Sequence, residues 1–192
     1  MTRIFMVRHG PTHAKSMVGW SDLPADLSDK AALDRLSAYL PQQAVVISSD
    51  LSRAVTTADA IQGTRTRLAH QSGLREINFG AWELRGFKEI EAETPDHIRA
   101  FWEQPGDVRP PDGESWHEIC ARVDAEIDTL IKRHFGQDII VVAHFGAIVT
   151  QIQRAEQLSA YEAFGHRIDN LSVTEIWHRE GVFQTGRINH LP

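Results

Sequence analysis

The 192-residue chain has a single cysteine, Cys120, so no disulfide can form within it and a small disulfide-stapled scaffold is excluded. One thiol suits a reducing compartment, and the expected location is cytoplasmic. Lysine is scarce as well, with only Lys15, Lys30, Lys88 and Lys132 among 20 basic residues. Against 26 acidic residues these leave a formal net charge of −6, which argues against a general attraction to nucleic acid or anionic lipid. Long apolar runs are missing: the strongest, about Ile139 to Ala143, falls far short of the roughly 20 residues of a membrane helix. Met1 to Gly10 also lacks the apolar core of a signal peptide. The expected partners therefore include no nucleic acid and no membrane. Neither an internal repeat nor a low-complexity segment is present.

What remains is ordinary globular material, 42% hydrophobic and 24% charged, of a length that suits one domain over residues 1–192. The basic set is dominated by 16 arginines, whose planar fork matches phosphate and carboxylate, so an acidic protein can still hold a small anion pocket. Ile4 to Val7 reads as a short buried strand ending near Gly10. Ser28 is the expected N-cap of a helix carrying Leu33, Leu36 and Leu40 and closed by Pro41. Ala44 to Ile47 reads as a second strand, after which Ser48, Ser49 and Asp50 offer capping groups to a helix that Gly63 ends. Residues 66–69 suggest a short strand, 73–86 an irregular stretch, 87–104 one or two helices interrupted by Pro95, and 105–113 a loop. Ser115 and Glu118 form a capping box before an apolar stripe of Ile119, Val123, Ile127, Leu130 and Ile131, and Gly136 stops that helix. Ile139 to Ala143 is a third buried strand leading through His144 into another helix, and the tail reads as two strands around Glu180 and Gly181.

Alternating strands and helices imply an α/β fold: a three-layer α/β/α sandwich around a mostly parallel sheet, with helices on both faces. Ligands of such sheets sit beyond the carboxyl ends of the strands. Three strands end there in polar groups: Arg8-His9-Gly10, Ser48-Ser49-Asp50 leading to Arg53, and His144-Phe145-Gly146. If the strands are parallel neighbours, two arginines and two histidines converge, which suits a tetrahedral dianion. A neutral imidazole there can attack phosphorus, and a carboxylic acid is then needed to protonate the leaving oxygen. Glu76, Glu83, Glu89, Glu91 and Glu93 all lie in the irregular middle, and periodicity does not choose among them.

Arg8-His9-Gly10-Pro11-Thr12 resembles the Arg-His-Gly-x-Thr signature of the histidine phosphatase superfamily. Gly19-Trp20-Ser21-Asp22, Ser48 to Ala54, Leu74 to Glu83, Gly113-Glu114-Ser115 and Val142 to Gly146 are similar to its other motifs and follow in family order. The resemblance implies a phosphohistidine mechanism with His9 as nucleophile, Arg8, Arg53 and His144 around the phosphoryl group, and Glu76 as general acid and base. It implies neither cofactor nor metal. Gly10, Thr12, Lys15 and Trp20 are the expected substrate-binding residues, with Trp20 at the pocket mouth. The chain departs from the pattern at Pro11, Lys15, Phe145 and Leu84-Arg85-Gly86, positions that bear on substrate choice.

Other readings stand beside this one. Glu83 is the alternative acid. His9 and His13 are four apart, but they follow a strand and flank Pro11, against a helical metal pair. The remaining arginines are assigned to the surface. Residues 77–112, with Phe79, Trp82, Phe87, Phe101 and Trp102, are expected to form a lid or cap insertion. The expected activity is hydrolysis of a small phosphorylated metabolite by a monomer or homodimer. The alternatives are a mutase of the same superfamily, whose members are expected to be longer so as to exclude water, and a non-catalytic phospho-ligand module. A phosphopeptide phosphatase is a further possibility.

Overall fold

Strand β1 (Thr2–Arg8) sends Ile4 and Met6 into one hydrophobic cluster and Phe5 and Val7 into another, as a strand buried on both faces must. The computed structural model describes residues 1–192, and its strands form one six-stranded sheet. Beside β1 run β4 (Asp138–Ala143), β2 (Ala44–Ser48) and β3 (Thr66–Arg67), all parallel to it. On its other side β5 (Val173–Arg179) and β6 (Val182–Thr185) pair antiparallel. Glu180 and Gly181, both with positive φ (53° and 83°), join them in a two-residue hairpin whose twist suits the strands. The expected three-layer sandwich with a mostly parallel sheet is therefore the observed fold.

Helices α1 (Lys30–Tyr39) and α2 (Ser52–Ile61) cover one face through Leu33, Leu36, Ala54, Ala58 and Ile61. The other face carries α5 (Trp116–Arg133) and α6 (Phe145–Glu156), with α3 (Phe87–Glu93) and α4 (Pro95–Glu103) extending the same layer. Within 77–112, Ile77, Phe79, Trp82, Ile90, Ile98 and Phe101 all join this larger cluster. The capping box at Ser115 and Glu118 opens α5, and Pro95 stands at the start of α4, where its missing N–H costs nothing.

Several expectations change. Asp29, not Ser28, caps α1 by accepting from Ala32 N at 3.0 Å. No local side chain caps α2: Asp22, 30 residues upstream, accepts from Ser52 N at 2.7 Å, while the Ser49 hydroxyl is turned to Leu51 N. The third strand is two residues long. A short helix, α7 (Ala160–Ala163), follows a Ser159/Glu162 capping box that had no apolar stripe to announce it. Arg65 is not at the surface: it is 4% exposed and donates to the carbonyls of Ser37, Leu40, Pro41 and Ile61, closing the ends of α1 and α2. No helix is long and apolar enough to cross a membrane.

Candidate active site

Register brings the strand ends level, since Arg8 stands opposite Ala143 and Ser48 opposite Val142. The ladder continues one residue further, with His9 N donating to Ala143 O and Ser49 N to Val142 O, both at 3.1 Å. His9 is buried, and its Nδ1 lies 2.6 Å from Gly10 O. A carbonyl only accepts, so Nδ1 carries the proton and Nε2 keeps its lone pair. Burial lowers the His9 pKa to about 3, and the Arg53 and Arg8 cations push the same way against the Gly10 bond. The ring is therefore neutral. Gly10 N donates to Thr57 Oγ1 (3.0 Å), and Asn170 Nδ2 donates to His9 O (2.8 Å), fixing the turn.

Arg53, in the first turn of α2, is 1% exposed and points its Nε at His9 Nε2 from 3.3 Å. Its other nitrogens donate to Ser21 O (2.8 Å) and Gly19 O (2.6 Å). Glu83 holds that loop, accepting from Gly19 N (3.0 Å), Trp20 N (2.7 Å) and the Ser21 hydroxyl (2.7 Å), and also from Phe79 N (3.2 Å). Arg8 donates through Nη1 to Ile168 O (2.6 Å). His144, fully buried at the N-cap of α6, sets Nε2 2.8 Å from Ser49 Oγ, and its ring lies 5.0 Å from that of His9. Burial holds its pKa well below the ordinary value, with His9 and the nearby arginines adding to this. Arg8 Nε and His144 Nδ1 are both buried without a partner. Together with the Arg8 and Arg53 guanidinium groups, they suit an acceptor-rich group.

Glu76 is buried beside them. Its Oε1 accepts from Ile77 N and Gly146 N, both at 2.9 Å, and Oε2 only shares Gly146 N at 3.1 Å. Burial raises its pKa, outweighing those N–H donors and the Arg53 and Arg8 charges that favour the carboxylate. A Cβ at position 146 would lie 2.2 Å from Glu76 Oε1, so glycine is what lets the carboxyl sit this close. The Glu76 carbonyl is held in turn by Trp20 Nε1 (2.8 Å) and by Arg122 Nη2 (3.1 Å), whose guanidinium is clamped by Glu114.

These groups open on a cavity of about 260 Å³. Arg8, His9, Arg53, Glu76 and Thr12 line it; His144 and Gly10 do not, His144 packing its ring 5.0 Å from that of His9 and Gly10 O meeting His9 Nδ1. Lys15 is exposed and does not line the cavity. Trp20 is not at the mouth: it lies behind Glu76 with the Arg75 guanidinium 4.8 Å from its ring centre. His13 is exposed and bonded to Asp26 at 2.8 Å. The residues that sequence reasoning missed are Ser49, Asn170, Arg122 and the pocket use of Phe145; only Ser49 and Phe145 had a signal, lying within motifs. A wider depression of about 650 Å³ at the amino ends of the parallel strands spends its charges internally, Arg3 on Asp138 and Arg65 on helix carbonyls.

The model of the histidine phosphatase superfamily (branch 1) matches residues 4–190. The chain is 27% identical, over 100% of its length and 95% of the relative's, to a protein named probable phosphoglycerate mutase GpmB from Shigella boydii. Among solved structures it superposes on Bacillus stearothermophilus YhfR with a TM-score of 0.91 at 25% identity, covering 100% of this chain and 98% of that one. A putative alpha-ribazole-5'-P phosphatase from Escherichia coli K-12 shares the fold, with a TM-score of 0.86 at 24% identity over 98% and 96% of the two chains.

Proposed function

The chain belongs to the histidine phosphatase superfamily, and from that premise we propose that it is a phosphomonoester hydrolase acting through a phosphohistidine at His9. The observation that carries this reading is a neutral His9 with Nε2 free of any covalent proton, in one cavity with two guanidinium groups and a carboxyl whose pKa burial raises. The ester's phosphoryl group enters between His9 and Arg53 and takes over the Arg53 Nε donor. Arg8 lines the same cavity, so its guanidinium can meet a further oxygen. Donors aimed at developing charge in a dry site are worth a few kcal/mol each, about 10²–10³ in rate.

In the first step Nε2 forms a bond to phosphorus as the ester P–O bond breaks, and Glu76 gives its proton to the departing alkoxide. Oε2 is the better seat for that proton, since Oε1 already accepts two N–H groups. Water then attacks phosphorus, the P–N bond breaks, and the water's proton returns to Glu76. The products are alcohol and phosphate, with the enzyme regenerated.

Phosphoryl transfer between two positions of a phosphoglycerate is the second reading, supported by relatives named probable phosphoglycerate mutase. Chain length does not separate the two, because this chain covers 95% of such a relative. Cytoplasmic location belongs to the same proposal and rests on the single thiol.

The test is hydrolysis of an aryl phosphate by wild type and His9→Ala, with an acid-labile phosphoenzyme trapped during turnover. Wild type should turn over and label at His9, and the variant should do neither. Equal rates in the two proteins would sink the mechanism.

A further inference from the structure

Beyond its phosphoryl end, the cavity wall changes character. Met17, Val18, Phe79, Trp102 and Phe145 surround the place the alcohol part of an ester must occupy, and Thr12 and Ser16 supply the hydroxyls. A small recess of about 40 Å³ shares Glu76, Phe79, Trp102 and Phe145 with the cavity and continues the apolar wall to Trp116 and Phe164. No cation besides Arg8 and Arg53 lines the cavity. The other arginines of these segments are spent: Arg75 on Asp50, Arg85 on Glu89 and Glu93, and Arg122 on Glu114. Trp102 adds one polar feature, an indole N–H that is buried without an acceptor.

We infer that the substrate's alcohol part is uncharged and largely apolar, a ring-bearing group, and not a carboxylate-bearing one such as glycerate or serine. This rests on the hydrolase reading above and names its substrate class. A second carboxylate would leave water for aromatic faces and meet no lining cation beyond Arg8 and Arg53, which the phosphoryl group occupies; Lys15, between the lining residues Ala14 and Ser16, is exposed to solvent and does not line the cavity. A ring gains instead, because it buries apolar area against Phe79, Trp102 and Phe145.

The test compares kcat/KM for benzyl phosphate, glycerol phosphate and 3-phosphoglycerate, whose alcohols are similar in basicity, so that the ratios read the wall and not the chemistry. Benzyl phosphate should exceed 3-phosphoglycerate by at least about tenfold. Trp102→Leu should shrink that ratio through KM for the benzyl ester, and Phe145→Arg should shrink it by improving 3-phosphoglycerate. Hydrolysis of all three with 3-phosphoglycerate equal or preferred overturns this inference and leaves the hydrolase standing. Failure of every ester, with no phosphoenzyme formed, overturns the hydrolase reading and this inference with it.

Discussion

Gly146→Ala probes the proposed acid, Glu76, without touching its chemistry. The added methyl would sit 2.2 Å from Glu76 Oε1 and 3.3 Å from Ile119 Cδ1. Ordinary contact therefore demands that the carboxyl retreat by about 1 Å, since a close-packed interior offers little other relief. Retreat stretches the 2.9 Å bond from Gly146 N and swings Oε2 away from the leaving oxygen. Misplacement of a catalytic group by about 1 Å costs on the order of 10²-fold. Overpacking adds about 1–3 kcal/mol of destabilisation, a fall in Tm of roughly 2–12 °C for a chain this long. The assay is kcat/KM over esters of graded leaving-group basicity. Benzyl phosphate, which needs the proton, should lose close to the full factor; p-nitrophenyl phosphate, whose phenolate departs unaided, should lose only a few-fold. A loss equal across the series would mean that Gly146 serves folding alone. Unchanged rates together with an unchanged Tm would refute the close approach itself.

Glu83→Gln replaces an acceptor that holds Gly19, Trp20, Ser21 and Phe79 with an amide whose NH₂ meets N–H groups. It should cost about 2–4 kcal/mol in denaturant unfolding and weaken inhibition by phosphate, because the carbonyls that orient Arg53 belong to that loop; no change in either measurement would end the idea. Glu76→Gln should inactivate the enzyme toward alkyl esters yet stabilise the fold at neutral pH. The raised folded-state pKa of Glu76 supports stability only below the unfolded value and withdraws it as pH rises through the folded one. The stability gap between variant and wild type should thus close as pH falls below the ordinary carboxyl range, and a gap of opposite sign would contradict a raised pKa at Glu76. Sulfate, a dianion throughout, should bind more tightly as pH falls from about 8 to about 5, because a dianion offsets the Arg8 and Arg53 charges that help hold His9 and His144 neutral. Calorimetry in buffers of different ionisation heat would then register proton uptake, and pH-independent affinity would count against neutral histidines before the dianion binds.

The convergence of Arg8, His9, Arg53 and His144 was legible because it follows from topology: apolar runs that stop at polar residues, in strands that neighbour one another as β2, β4 and β1 do. The capping box of α5 and the break at Pro95 are local signals and are found where local physics puts them. What stayed hidden depends on contacts distant in sequence. The cap of α2 comes from Asp22, the support of His9 O from Asn170 161 residues away, and the hold on the Glu76 carbonyl from Arg122 46 residues away. No periodicity encodes such pairs. Arg65 shows the same limit from the other side: an arginine in a polar stretch looks like surface until two helix ends are seen to close on it.

Glu76 and Glu83, which sequence alone left as rivals, separate on donor count. They lie on one irregular segment, and both face the loop and helix ends around Arg53. Glu83 is surrounded by five donors, including Ser21 N at 3.3 Å, so its oxygens are committed to holding backbone. Moving it to serve a leaving group would release the loop that presents carbonyls to Arg53, and so would dismantle the phosphoryl site it was meant to assist. Glu76 meets only the N–H groups of Ile77 and Gly146, too few to offset burial, and its second oxygen is left free for a proton. On the proposed mechanism, one segment thus supplies two carboxyls with opposite work. The richly bonded one is structural, and the sparsely bonded, buried one is fit to carry a proton into the cavity and take it back.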